Sequence, residues 1–559
     1  MQLSKRAKLG AGLAALALTL GPVVLAIDNL RYERVRQVTK SLVTRDIGPP
    51  NKFGLREALA PPSPPMMQPM VTPAYAPPPA SAIMPGNIAI SPPQPTTGER
   101  YDGKPISPVR LTSAEPVSTF SIDVDTGAYS NCRRLINRGV APPVEAVRTE
   151  ELINYFRYAY PRPDSALQPF SVTTDLAVTP WNPETRLMRI GLRGYDLPTS
   201  ARPPVNLVFL VDVSGSMNEP DKLPLVKDTL TLLARQMSPR DKVSIVVYAG
   251  AAGLVLSPTS SGASVIAALD QLEAGGSTAG GEGLQLAYAQ ARKSFIPGGV
   301  NRVILATDGD FNVGVSDTKS LIAMIEKQRD SGITLTTLGF GEGNYNEAMM
   351  EQIADHGNGN YAYIDSADEA RKVLSDEMAS TLFTIAKDVK IQVEFNPAVI
   401  SQYRLLGYEN RALREEDFDN DLVDAGEIGA GHQVTAIYEV VPVGAKGWIG
   451  NRRYETSGKA STGTSEAAFV KLRFKLPQGG ASHLIQRPVP AAALAQARAP
   501  AGDMAFAVAV AAYGQNLRGD PLLGRFGWQQ IAALAGPQND PRRREFVGLV
   551  SRAGKLPHG

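Results

Sequence analysis

The stretch NLVFLVDVSGSM, residues 206–217, decides the fold of this chain. Its apolar run, 207–211, has no polar interruption, which is typical of a strand buried on both faces in a parallel sheet. Asp212, Ser214 and Ser216 follow directly, at the carboxyl end of that strand, where open α/β sheets bind their ligands. A carboxylate and two hydroxyls are hard oxygen donors. The stretch therefore predicts a divalent-metal site at the end of a buried strand.

Strand and helix patterns alternate around this stretch, from about residue 204 to 385, with short connections. Strands are predicted at 206–212, 242–249, 302–307, 334–340 and 361–364, with a short edge at 254–256. Helices are predicted between them, at 223–236, 264–273, 283–294, 318–331, 346–356 and 367–382. This alternation predicts an α/β domain with a doubly wound, mostly parallel sheet and helices on both faces.

Two further loops of the predicted sheet carry oxygen donors. The loop GGSTAGG at 275–281 contains Thr278, and its glycines let the backbone approach a ligand closely. In the third loop, Asp308 follows the apolar strand 302–307. Taken singly, such loops also suit a helix cap or a turn. Together with the first loop they supply two carboxylates and three hydroxyls but no nitrogen or sulfur, which favours Mg²⁺, Ca²⁺ or Mn²⁺ over zinc or copper.

In these loops the chain resembles a von Willebrand factor A-type domain with a metal-ion-dependent adhesion site. The phrases that carry the resemblance are DVSGSM (212–217), YAGAAG (248–253), GGSTAGGEG (275–283) and ATDGDFNVG (306–314). It implies that the ion, Mg²⁺ first with Ca²⁺ or Mn²⁺ as alternatives, is held by Asp212, Ser214, Ser216, Thr278 and Asp308. It also implies that an Asp or Glu carboxylate from a protein partner completes the coordination. From about residue 101 to the C terminus, the chain resembles a bacterial group of uncharacterised cell-envelope proteins with flanking N- and C-terminal domains.

The first 27 residues are typical of a signal peptide or an N-terminal membrane anchor. A basic start, residues 5–8, precedes an uncharged run at 9–27. The small residue Ala26 favours cleavage after it, whereas the length of the run also suits a short transmembrane helix. We therefore expect export to the cell envelope, with the chain either soluble in the periplasm after cleavage or anchored by an N-terminal transmembrane helix.

The rest of the chain divides by composition. Residues 28–100 are expected to form a disordered, proline-rich linker, because fifteen of the 44 prolines lie between Pro49 and Pro95. Strand patterns predict an N-terminal α+β flanking domain at 101–203 and a β-rich, sandwich-like domain at 386–489, which strands of both segments could build jointly. The last segment, 490–559, is predicted to be helical.

Three smaller predictions concern these flanking segments. Asp123 and Asp125 are expected to face solvent on one strand rather than to bind a metal. Residues 504–513 are apolar but too short to span a bilayer, so they predict a buried helix. The single cysteine, Cys132, excludes an intrachain disulfide.

Charge and motifs restrict the classes of function. Lys plus Arg (57) nearly balances Asp plus Glu (55), which gives no reason to expect a nucleic-acid partner. The metal loops contain no histidine, cysteine or lysine for catalysis, so we predict a protein-binding scaffold rather than an enzyme. Two alternatives stay open: a regulatory subunit of a membrane channel or ATPase complex, and a metal-dependent hydrolase. The chain has no G-x-x-x-x-G-K-[ST] loop, so an ATPase would be a separate polypeptide.

Overall fold

The described part of the chain is discontinuous. The computed structural model describes residues 98–122, 125–163, 165–277, 280–309, 318–343, 345–421, 423, 425–450 and 465–557. The predicted targeting segment, 1–27, and nearly all of the predicted linker lie outside these residues. Within the described ranges, no helix combines the length and the apolar character that crossing a membrane requires.

Strands and helices are numbered along the chain. The strands are β1 (Arg110–Leu111), β2 (Val117–Ser121), β3 (Phe170–Thr179), β4 (Asn182–Gly194), β5 (Val205–Asp212), β6 (Lys242–Tyr248), β7 (Ala252–Thr259), β8 (Val300–Thr307), β9 (Ile333–Phe340), β10 (Tyr361–Ile364), β11 (Thr384–Phe395), β12 (Ile400–Leu405), β13 (Ala412–Leu413), β14 (Ile428–Gly429), β15 (Gln433–Pro442), β16 (Glu466–Lys475) and β17 (His483–Pro490). The α-helices are α1 (Gly127–Asn137), α2 (Thr149–Asn154), α3 (Leu223–Ala234), α4 (Gly262–Asp270), α5 (Gly280–Lys293), α6 (Thr318–Asp330), α7 (Glu347–His356), α8 (Ala367–Arg371), α9 (Met378–Leu382), α10 (Ala492–Gln496), α11 (Gly502–Leu517), α12 (Trp528–Ala535) and α13 (Pro541–Ala553).

The central sheet has the strand order β10-β9-β8-β5-β6-β7, and every neighbouring pair is parallel except β6 with the antiparallel edge strand β7. All eight residues of β5 are buried. Alternate side chains of this strand enter two cores: Phe209 packs among residues of α3, α4 and α8, and Leu210 among residues of α5, α6 and α7. The predicted doubly wound, mostly parallel sheet with helices on both faces is therefore confirmed.

The strands that come before and after the central domain in the sequence form an antiparallel sandwich of two sheets. One sheet has the order β1-β12-β15-β4-β3 and the other the order β13-β2-β11-β16-β17, with β14 paired to β11. The strands that precede the central domain and those that follow it contribute to both sheets. A shared core between the sheets includes Phe120, Ile190, Val393 and Tyr438. The expectation that strands of 101–203 and 386–489 could build one sandwich jointly is therefore confirmed, whereas the exact domain boundaries stay predictions.

The C-terminal helices pack on the two flanking helices α1 and α2. Their common core contains a cluster of aromatic rings: the ring of Phe156 lies 4.9 Å from that of Phe506 and 5.7 Å from that of Phe546. Residues 504–515 of α11 are buried, which confirms the predicted buried helix. Helix α1 was absent from the sequence prediction because its buried positions include the charged residues Arg133 and Arg134, which hide the apolar pattern.

Two sequence expectations are wrong. Asp125, expected to face solvent, is only 2% exposed; it accepts the backbone N–H of Tyr361 at 2.8 Å and pairs with Arg411 at 3.2 Å. Its companion Asp123 lies outside the described residues. The single helix predicted at 367–382 is interrupted by a π-helical turn, Lys372–Asp376. The error for Asp125 arises because both of its partners, Tyr361 and Arg411, come from distant parts of the chain.

Candidate metal site at the end of the central sheet

Asp212 ends β5 and is completely buried. Its Oδ1 accepts the backbone N–H of Ser214 at 2.9 Å, and its Oδ2 accepts the hydroxyls of Tyr248 and Thr307, each at 3.0 Å. Burial raises the pKa of the Asp212 carboxyl, and the nearby charge of Asp308 raises it further, although the hydrogen bonds act in the opposite direction. The three hydrogen bonds hold the carboxylate in one orientation. A bound cation would stabilise its charged form.

The two serines of the first loop lie side by side. Ser214 Oγ and Ser216 Oγ are 3.1 Å apart, and a 3₁₀ turn, Gly215–Asn218, begins between them. The second loop rests on this turn: the backbone N–H of Gly215 donates to the carbonyl of Gly276 at 3.0 Å. Gly276 has φ +89°, a conformation that favours glycine. Thr278, the predicted ligand of this loop, lies outside the described residues.

Asp308 directly follows β8, the parallel neighbour of β5, and is 2% exposed. Its Oδ2 accepts a hydrogen bond from Lys222 Nζ at 2.9 Å in a buried ion pair. The metal loops themselves contain no lysine, as the sequence shows, but Lys222 reaches the third loop from outside them. Lys222 precedes α3 in the segment after the first loop, and nothing in its local sequence indicates that its ammonium reaches the third loop.

The turn after β9 holds the stem of Lys222. A Cβ added to Gly341, which has φ +65°, would lie 2.4 Å from both Cγ and Cε of Lys222. The carbonyl of Gly341 accepts the hydroxyl of Tyr363. The Arg134 guanidinium of α1 lies 5.4 Å from the centre of the Tyr363 ring and pairs with Glu99 at 2.9 Å. A continuous series of contacts thus connects Lys222, through Gly341 and Tyr363, to Arg134 of helix α1.

The donor chemistry fits a hard divalent cation. Asp212, Ser214, Ser216 and Asp308 present only oxygen atoms, and the two acids are buried near each other. Among the residues that the structure describes, no three His, Cys, Asp or Glu side chains converge in a way that could hold a metal. Two carboxylates with neutral hydroxyls suit Mg²⁺, Ca²⁺ or Mn²⁺, whereas nitrogen or sulfur ligands for softer metals are missing from this described set.

Comparison with known proteins identifies three matching family descriptions. The von Willebrand factor type A domain matches residues 206–376, and a family described as von Willebrand factor matches residues 95–189. A family described as uncharacterized protein YfbK, C-terminal, matches residues 380–556. With the central sheet, these matches define the class: a protein with a von Willebrand factor type A domain, a fold that mediates protein–protein interactions and often binds a divalent metal.

Similarity to individual proteins extends over most of the chain. The uncharacterized protein YfbK of Escherichia coli is 48% identical over 469 residues, which are 81% of this chain and 81% of that protein. The chain therefore belongs to the YfbK family. The uncharacterized protein sll0103 of Synechocystis is 30% identical over 187 residues, or 33% of this chain and 43% of that protein. A solved structure, a von Willebrand factor type A protein from Catenulispora acidiphila, is 19% identical with a TM-score of 0.36, covering 62% of this chain and 77% of that one.

Proposed function

We propose that this protein is a scaffold of the cell envelope that holds a protein partner through a divalent metal. Asp212, Ser214, Ser216, Thr278 and Asp308 hold the ion, and an Asp or Glu carboxylate of the partner completes its coordination. The observation that carries the proposal is the placement of Asp212 and Asp308. Both are buried acids at the carboxyl ends of neighbouring parallel strands, and two serine hydroxyls 3.1 Å apart follow the first of them.

The chemistry of the donors favours a ligand site over a purely structural ion site. Serine and threonine hydroxyls are neutral, so they cancel none of the positive charge of a bound ion. The carboxylate of Asp212 already accepts hydrogen bonds from Ser214, Tyr248 and Thr307, which spread part of its negative charge. Mg²⁺ prefers six oxygen ligands. An ion at this site would therefore retain an affinity for one more anionic oxygen, which an acidic side chain of a partner supplies.

The proposed location comes from the sequence. The basic and apolar start at 1–27 supports export, and the proline-rich linker would separate the folded domains from an anchor. We propose no catalytic role: among the described residues, Lys222 is a candidate base at the site, and its ammonium is paired with Asp308.

Metal titration of the full chain tests the proposal. Isothermal calorimetry with Mg²⁺, Ca²⁺ and Mn²⁺ is compared for the wild type and for Asp212→Ala, Asp308→Ala and Thr278→Ala. We expect each variant to lose at least about tenfold in affinity, because each removes an oxygen donor or its charge. Asp368→Ala is the matched control, since that acid is 89% exposed in the same domain. Unchanged divalent affinity in both the Asp212 and Asp308 variants would refute the metal site.

The partner is tested separately. Proteins crosslinked to the chain in the native envelope are recovered with and without a chelator. We expect chelation and Asp212→Ala to remove the same partner, because both remove the bridging ion. A set of partners that is identical with and without chelator contradicts the bridge, even if the ion binds.

A further inference from the structure

Lys222 is a buried cation that touches a proposed metal ligand without being one. Its side chain is 9% exposed and that of Asp308 is 2% exposed, with Nζ 2.9 Å from Oδ2. An ammonium has no lone pair, so it cannot bind a metal. It can change the charge that the metal and the partner's carboxylate experience.

The lysine is also fixed in place. The glycine turn at Gly341 lies against its stem so closely that even one added carbon would overlap two of its atoms. The Tyr363 hydroxyl holds the carbonyl of that same turn. Little solvent reaches the pair, so its charges are screened less than those of surface residues.

We infer that Lys222 sets two affinities of the metal site. It lowers the affinity of the site for the ion, and it raises the affinity of the bound ion for an anionic partner. The inference rests on the proposed function. The two acids carry two negative charges and Lys222 one positive charge, so these three side chains and a divalent ion together sum to one net positive charge. Without Lys222 the same loaded site is neutral. A partner carboxylate is thus drawn to a cationic site that exists only when the metal is bound.

Lys222→Met tests this directly, because methionine is unbranched and only one atom shorter than lysine, and it removes the charge. Mn²⁺ is the probe, since water-proton relaxation reports both its binding and the displacement of its water by acetate. In Lys222→Met we expect Mn²⁺ to bind about tenfold more tightly and acetate about tenfold more weakly to the loaded site, as a unit charge a few ångströms away implies. Lys227→Met, five residues further along the chain in α3, is the matched control and should change neither affinity, because the Lys227 ammonium is exposed and bonds the carbonyl of Asp270.

A double variant keeps the test decisive if Lys222→Met folds poorly. Asp308→Asn alone leaves the lysine unneutralised, whereas Lys222→Met with Asp308→Asn removes both charges and leaves no unpaired ion. We expect the double variant to bind Mn²⁺ at least about tenfold more tightly than Asp308→Asn. Equal affinities in these two proteins overturn the inference.

The outcomes separate this inference from the proposed function. If the wild type binds no Mn²⁺, or if Asp212→Ala does not weaken binding, the proposed function fails and the inference fails with it. If Asp212→Ala abolishes binding while Lys222→Met binds Mn²⁺ and acetate as the wild type does, the metal site stands and the role of Lys222 is wrong.

Discussion

Arg133 of α1 joins three parts of the chain, and its removal is the most informative test of the architecture. Its Nε donates to Asp365 at 2.8 Å and its Nη2 to Glu369 at 2.7 Å, both in the central domain. Its Nη1 donates to the Tyr155 hydroxyl at 2.9 Å and lies 3.2 Å from Glu545 of the C-terminal helix α13. The Arg133 side chain is 6% exposed, so these contacts replace almost all of its water.

Arg133→Met removes the cation that three carboxylates share, those of Asp365, Glu369 and Glu545. Breaking a buried ion pair by removing one partner typically costs about 3–5 kcal/mol. Glu369 is 1% exposed, but it retains the Tyr155 hydroxyl at 2.6 Å and Lys372 at 3.9 Å. Because these contacts offset part of the loss, we expect the lower end of that range, about 3 kcal/mol.

Urea unfolding of the full chain measures this loss with two probes. All three tryptophans lie outside residues 204–385, so fluorescence reports the flanking segments while far-ultraviolet circular dichroism reports the whole fold. We expect coincident transitions for the wild type and separate ones for Arg133→Met, because the link between the parts is lost. Arg371→Met is the control: Arg371 is 57% exposed and pairs with the exposed Asp368, so a change of at most about 1 kcal/mol is expected. A loss below about 1 kcal/mol with coincident transitions for Arg133→Met would refute the reasoning.

Three further predictions concern backbone packing, pH and the aromatic core. Gly359→Ala should lower the melting temperature by several degrees, since a Cβ there would lie 1.8 Å from the carbonyl oxygen of Leu335; calorimetric melting measures it. Burial raises the pKa of Glu151 to about 8, so the folded chain keeps a proton that the unfolded chain loses from about pH 4.5 upward. The free energy of unfolding should therefore fall between those pH values by at most about 1.4 kcal/mol per pH unit, and urea unfolding should show a shallower fall for Glu151→Gln. Phe506→Ala, which empties a fully buried site against Phe156, should cost about 3–5 kcal/mol in the same assay.

The sequence predicted those strands and helices that the pattern of neighbouring residues determines. The apolar run at 207–211 forms β5 because five successive apolar side chains can be buried only when both faces of the strand are covered. Strand β10 has the predicted bounds, and the starts of α3 and α6 are the predicted ones. The errors fall where charged residues are buried, as in α1, whose Arg133 and Arg134 read as surface residues.

In the candidate site, too, the sequence predicted some features and missed others. The order of the three loops along the chain is sufficient to nominate Asp212, Ser214, Ser216, Thr278 and Asp308, since the carboxyl ends of parallel strands lie at one edge of a sheet. Their roles as ligands stay a prediction. The sequence did not reveal Tyr248 and Thr307 as hydrogen-bond donors to Asp212, because each comes from a different strand.

By itself, the sequence determined the alternation of strands and helices, the carboxyl edge at which the polar loops meet, and the oxygen character of the site, because each depends on neighbouring residues and on sheet geometry. Only the tertiary structure decided that Lys222 pairs with Asp308, that Asp125 is buried beside Tyr361, and which strands of the two flanking segments pair in the sandwich. The physical reason is the same in each case. A buried charge or a strand edge is stable only with its partner, and that partner is supplied by a distant part of the chain.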